Sequence, residues 1–139
     1  VKELDKFYQS IYNIAKPGAK IIFSTLGPES LKELEISYSN LNKKFPKIKL
    51  NDISYHLKLL QLKGFRNITY IISKRRNWYD SLKSVILSIK KIGAGVRENR
   101  CGLAGKNFFL DIENIYGQNF AVNGHLPLTW EIYYISCIK

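Results

Sequence analysis

The run Asn123-Gly-His-Leu-Pro-Leu-Thr-Trp-Glu-Ile-Tyr-Tyr-Ile-Ser-Cys-Ile-Lys139 decides the fold. Asn123-Gly124 opens a turn, because both residues tolerate the backbone angles a turn needs. From Leu128 to Ile138 the single charge is Glu131, and the rest is rich in Ile, Tyr and Trp. Such residues fit a pleated, buried surface. A strand this apolar is expected to be buried on both faces, or nearly so, as strands of a covered α/β sheet are.

Working back from that strand, the chain alternates. Leu4, Phe7, Tyr8, Ile11 and Ile14 recur at helical spacing. Lys16-Pro17-Gly18 ends that helix, and residues 19–25 read as a short buried strand. Pro28 and Glu29 suit the first turn of a second helix with Leu31, Leu34, Tyr38 and Leu41 on its apolar stripe. Asn51 or Asp52 can cap a third, which buries Leu57, Leu60 and Ile53 and stops at Gly64. Residues 65–73 predict a second strand, with Lys74-Arg75-Arg76 at its end and Trp78-Tyr79 leading into a fourth helix lined by Leu82, Val85, Ile86 and Ile89. After a Gly-rich, Arg-bearing loop over 94–104, a fifth helix is expected over 105–117. The order α-β-α-α-β-α-α-β argues an α/β sheet. Five helices are too many for three strands, and the chain opens at Val1 with no Met. We therefore expect a piece of a longer chain.

Composition narrows the function classes. At 45% hydrophobic and 13% aromatic over 139 residues, the chain can bury the core of one domain. No apolar run approaches 18 residues, so the sequence offers no membrane span. The two cysteines, Cys101 and Cys137, have neither metal-site nor disulfide-framework spacing. His56 and His125 have no Cys or carboxylate partner at ligand spacing, so both read as structural or surface residues and no metal is expected. The net charge of +11 implies an anionic partner, or a Lys-rich proteome. It concentrates at residues 71–106, where nine Lys or Arg face Asp80 and Glu98, whereas residues 107–139 carry Lys139 against Asp111, Glu113 and Glu131. A nucleic-acid platform would interleave exposed aromatics with those cations. Phe7, Phe23, Phe108 and Trp130 fall instead on apolar stripes, which disfavours nucleic acid.

Several segments carry a resemblance. Lys16-Pro17-Gly18 followed by Ile21-Ile22-Phe23-Ser24-Thr25-Leu26-Gly27 is similar to the fifth strand of a class I S-adenosylmethionine-dependent methyltransferase. Four more segments sharpen it. They are Thr25–Leu34, the pair Trp78–Leu82 with Ile89–Ala94, Arg100–Lys106 and Pro127–Glu131. In this order they resemble the C-terminal half of the malonyl-acyl-carrier-protein O-methyltransferases of biotin synthesis. The complex I assembly methyltransferase-like proteins share the layout, but Pro127-Leu128-Thr129 and Gly102-Leu103-Ala104-Gly105-Lys106 favour the biotin enzymes.

The resemblance implies the C-terminal part of a Rossmann-like α/β sheet, its last three strands with the terminal one reversed. Residues 1–73 would be helix-strand-helix-helix-strand, 74–127 a helical insertion over the acceptor site, and 128–139 the terminal strand. The implied cofactor is S-adenosyl-L-methionine, held mainly by an N-terminal half of the same protein. No Gly-rich loop follows a first strand here, and Gly93-Ala94-Gly95 follows a helix, so it is no dinucleotide fingerprint. The chain alone is expected to be inactive. The implied partners are an acyl carrier protein bearing a malonyl thioester and that N-terminal half, and the implied location is the cytoplasm.

A malonyl carboxylate is ionised at neutral pH, so its methylation needs positioning more than a general base. No catalytic dyad or triad is expected. Arg100 and Arg97 are candidates to grip a carboxylate, since Arg can do so through two parallel hydrogen bonds. Lys74, Arg75 and Arg76 form a cluster suited to steering an acidic carrier, or simply a solvated face. Ser24 and Thr25 lie at the carboxyl end of a strand, where α/β enzymes place ligands. Trp78 and Tyr79 could wall an acyl pocket or serve as core, and of Tyr133 and Tyr134 at most one can face a pocket.

Overall fold

The computed structural model of the chain describes residues 3–46, 49–92 and 103–139. The elements are α1 (Leu4–Ile14), β1 (Lys20–Leu26), α2 (Lys32–Asn40), α3 (Ile53–Leu62), β2 (Arg66–Tyr79), α4 (Leu82–Lys91), α5 (Leu103–Phe120) and β3 (Leu126–Ile138). Their order is the expected one. The sheet order is β1-β3-β2, so the last strand of the chain lies in the middle. It runs antiparallel to β1, with Lys20 opposite Ile138 and Leu26 opposite Ile132.

Besides shifts of two or three residues at the ends of α5 and the start of β3, two boundaries and one burial pattern differ from the sequence reading. The second strand does not end at Ser73 but runs to Tyr79, so Lys74, Arg75, Arg76, Trp78 and Tyr79 all lie within it. No Gly or Pro interrupts it before Asp80-Ser81, and an exposed strand accommodates charges without cost to a core. The second helix starts at Lys32 rather than Pro28, because Leu31 takes a left-handed conformation (φ 64°) in which a helix cannot propagate. The final strand is buried throughout from Leu126 to Glu131, but beyond that point buried and more open residues alternate. Two-sided burial therefore holds for its first half alone.

The chain divides into two compact units. The first comprises Val1–Pro28, Leu50–Lys74 and Glu131–Lys139. Its core joins Tyr8 of α1, Leu59 and Leu60 of α3, Phe65, and Tyr133, Ile135 and Cys137 of β3. Burial raises the Cys137 thiol above its ordinary pKa, consistent with a structural cysteine. Within α1, Tyr8 is buried while Phe7 and Ile14 are exposed, so the apolar stripe is narrower than its spacing implies. The Lys139 ammonium donates to the carbonyls of Tyr12 (2.6 Å) and Ala15 (2.8 Å), neutralising the open C-terminal end of α1. Asp52 caps α3 by accepting from the Tyr55 amide at 2.8 Å. Gly64, at φ 89°, ends that helix.

One histidine is part of this core. His56 is 2% exposed and shares a 2.7 Å hydrogen bond with the Tyr8 hydroxyl through Nδ1, while Nε2 is buried without a hydrogen-bond partner. Burial lowers its pKa below the ordinary imidazole value, outweighing the pull of Asp52.

The second unit comprises Glu29–Lys49 and Arg75–Trp130. Here α2 packs on α5, and Tyr38 stacks edge-on with Phe45 and Phe108. Ser81 caps α4 through the Ser84 amide, and Leu82, Val85 and Ile89 form the buried face of that helix. The buried Glu33 carboxylate accepts from both the amide and the hydroxyl of Thr129. The Tyr116 hydroxyl donates to the Pro127 carbonyl.

A candidate acceptor site at the end of the first strand

The carboxyl end of β1 is built around a glycine. The Gly27 amide donates to the Glu131 carbonyl at 2.8 Å, extending the β1–β3 pairing by one residue. A side chain at position 27 would come within 2.6 Å of the Tyr133 ring and hydroxyl, and closer still to the Glu131 carboxylate. Glycine is therefore required here for close approach rather than for its backbone angles.

The space that Gly27 leaves open holds two polar groups. Glu131 is 5% exposed, and Tyr133 hydrogen-bonds to it. Burial first, and then the neighbouring carboxylate, pushes the Tyr133 pKa up to about 12. The hydroxyl thus stays protonated at neutral pH and donates to Glu131. A buried carboxylate also calls for a counter-charge. Lys74 of β2 provides one, its Nζ 4.0 Å from a Glu131 oxygen while more than half of its side-chain surface stays open. The result is a carboxylate, a neutral hydroxyl and an ammonium grouped at a strand's carboxyl end.

The other sequence candidates are placed as follows. Ser24 and Thr25 lie across from Tyr134 and Tyr133, so they project to opposite faces of the sheet. Ser24 is on the exposed side. Of the two tyrosines, Tyr133 is buried and Tyr134 is exposed. Arg75 and Arg76 are exposed on β2, with Arg76 and Trp78 on one face and Arg75 and Tyr79 on the other. Trp78 is exposed and Tyr79 half-buried, so neither is wholly core. Arg97 and Arg100, with Gly93-Ala94-Gly95, lie outside the described residues. His125 does gain a carboxylate partner in space, Asp80 at 2.9 Å, which its position in sequence did not signal. Among the described residues no group of three or more His, Cys, Asp or Glu is placed to hold a metal ion. None of their helices is long and apolar enough to cross a membrane.

Sequence reasoning passed over Gly27 and Glu131 as a pair. A glycine directly after a strand, and one charge inside an otherwise apolar strand, were the available signals.

Comparison with known proteins bears first on the fold. A solved structure from Bacillus halodurans C-125, provisionally described as a methyltransferase, superposes with a TM-score of 0.53 at 12% identity, over 99% of this chain and 63% of that one. The likeness supports the expected fold, the C-terminal part of a class I methyltransferase sheet with its last strand reversed. Sequence comparison is more particular. The chain is 31% identical over 134 residues to the malonyl-[acyl-carrier protein] O-methyltransferase of a Methylovorus species, covering 95% of this chain and 45% of the relative. It is 28% identical over 139 residues to the protein of that name from Brevibacillus brevis, covering 94% of this chain and 50% of the relative. The resemblance seen in the sequence segments thus extends over nearly the whole chain. The chain spans about half the length of the curated relatives it matches. No family model matches it.

Proposed function

We propose that this chain is the acceptor-side part of an S-adenosyl-L-methionine-dependent methyltransferase that esterifies the free carboxylate of malonyl-acyl carrier protein in biotin synthesis. The observation that carries the reading is the alignment of nearly the whole chain with about half the length of enzymes bearing that name. The fold is consistent with it, and so is the chemistry at the end of β1, which contains groups for binding and orienting an acceptor.

The glycine that follows β1 has its open side filled by Glu131 and Tyr133. We therefore assign cofactor binding mainly to an N-terminal half of the same protein. In this reading, the insertion expected over 74–127 narrows to the segment between Tyr79 and Leu126, and Arg75 and Arg76, with Arg97 and Arg100, steer an acidic carrier protein. In the same reading Thr25, on the face of Tyr133, borders the acceptor, whereas Ser24 projects to the opposite face and is not assigned to it. The acceptor carboxylate is already ionised, so no group is assigned to remove a proton from it.

The test is methyl transfer from labelled S-adenosylmethionine to malonyl-acyl carrier protein, with the longer parent protein and this chain run side by side. Transfer by the parent and none by the chain alone is the expected result. A parent that binds the cofactor but transfers nothing would overturn the assignment in favour of a non-catalytic assembly factor of the same fold.

A further inference from the structure

We propose that Lys74 is the anchor for the acceptor's carboxylate, and that Glu131 is the positioning residue that holds Lys74 in place. The inference rests on the methyltransferase reading and specifies how its acceptor site works.

Three observations carry it. The first is location. Lys74 and Glu131 meet beside Gly27, at the carboxyl end of β1, where ligands of α/β folds bind. The second is charge. A buried carboxylate alone would repel an anionic acceptor, so a site for a carboxylate beside Glu131 needs a cation between the two. Lys74 meets that need, with its ammonium 4.0 Å from Glu131 and 56% of its side-chain surface exposed. An ammonium has three donors and can serve a second carboxylate while facing the first. The third is rigidity. Glu131 cannot easily swing away, because its main chain is bonded to Gly27, Tyr133 holds its carboxylate, and Gly27 leaves just enough room. The fixed partner restrains a side chain that would otherwise sample many rotamers.

The experiment uses the longer parent protein with two acceptors, malonyl-acyl carrier protein and a malonyl thioester of a short pantetheine analogue. The Lys74→Met variant is expected to raise KM about tenfold for both acceptors, the loss expected for one charge-assisted hydrogen bond. The KM for S-adenosylmethionine should stay within about twofold and kcat should change little. Lys74→Arg should recover most of the loss. Glu131→Gln should raise the acceptor KM by about threefold, again sparing the cofactor KM, because the anchor is loosened rather than removed.

A KM increase for the carrier-bound acceptor alone would overturn the proposal, because Lys74 would then be reading the carrier's surface. Unchanged acceptor KM values in Lys74→Met would also overturn it, as would parallel losses in every kinetic constant. If the unaltered parent methylates neither acceptor, the methyltransferase reading itself falls and takes this inference with it.

Discussion

The two faces of the sheet in the first unit are made from similar residues and meet different fates. On the face packed against α1 and α3, Tyr133, Ile135 and Cys137 are 0–3% exposed. On the other face, Tyr134 is 40% exposed and Ile22 of β1 is 68% exposed, and Ile71 of β2 is as open. The apolar composition of β3 argues for cover on both sides, yet the described helices of this unit cover one. The apolar character of these strands exceeds what the described helices of this unit cover. The matched relatives are about twice as long. The following measurements test that contrast between the covered and the open face.

The largest effect should come from the covered face. Ile135 is 1% exposed within the core cluster. Ile135→Ala should lower the unfolding free energy by about 3 kcal/mol, the usual result of emptying a packed site. Urea denaturation of the longer protein measures it. A loss below about 1 kcal/mol would mean that this face is not the tightly packed one.

Next comes the end of β1, where Gly27 admits Glu131 and Tyr133. Gly27→Ala should cost about 2 kcal/mol through overpacking, since the added carbon meets a buried carboxylate and a ring held by its neighbours. Thermal unfolding would register it. An unchanged midpoint would show that Glu131 moves aside freely, and would weaken its role as a fixed partner of Lys74.

A smaller effect is pH-dependent and specific to the covered face. Burial depresses the folded-state pKa of His56. Below the ordinary imidazole pKa of about 6.5 the unfolded chain therefore takes up a proton that the folded chain refuses. Stability contributed by neutral His56 is present above that pH and is lost as pH falls through it toward the depressed folded value. The slope is at most about 1.4 kcal/mol per pH unit. Comparing denaturation at pH 7.5 and 5.5 for the native protein and for His56→Phe isolates this group. Parallel losses in the two would remove His56 as the cause.

Much of the fold was legible in local chemistry. Pro17-Gly18, the Asn51-Asp52 pair and Gly64 are stop and start signals that act within one turn, and the boundaries they mark fall close to where read, with Asp52 as the cap. The errors arose where distant contacts decide. Leu31 carries no sign of a left-handed backbone, and that conformation accompanies a 2.9 Å bond from its amide to the Thr129 carbonyl. The charged run Lys74-Arg75-Arg76 looks like a strand's end until it is placed on an exposed strand. The candidate site was legible in the same uneven way. Ser24 and Thr25 lie near the same strand end as the candidate group, but that group joins Lys74 to Glu131 and Tyr133, 57 and 59 positions further along the chain. No periodicity in one segment could reveal it.

The smallest effect in this chain is the most discriminating. Ile22 is largely exposed on the open face, and its cross-strand partner is Ser136. Ile22→Ser should change the stability of the 139-residue chain by less than about 0.5 kcal/mol, as for other surface substitutions. In the longer protein the same change should cost about 2 kcal/mol, because the side chain would then leave a filled interface. The two denaturation curves must be compared at equal urea sensitivity, so that a shift in midpoint reports stability rather than compactness. Small, equal effects in both proteins would mean that the open face stays open in the complete fold. The apolar excess on β1 and β3 would then need a different occupant. A large effect confined to the longer protein would show that the open face is the surface on which the two halves join.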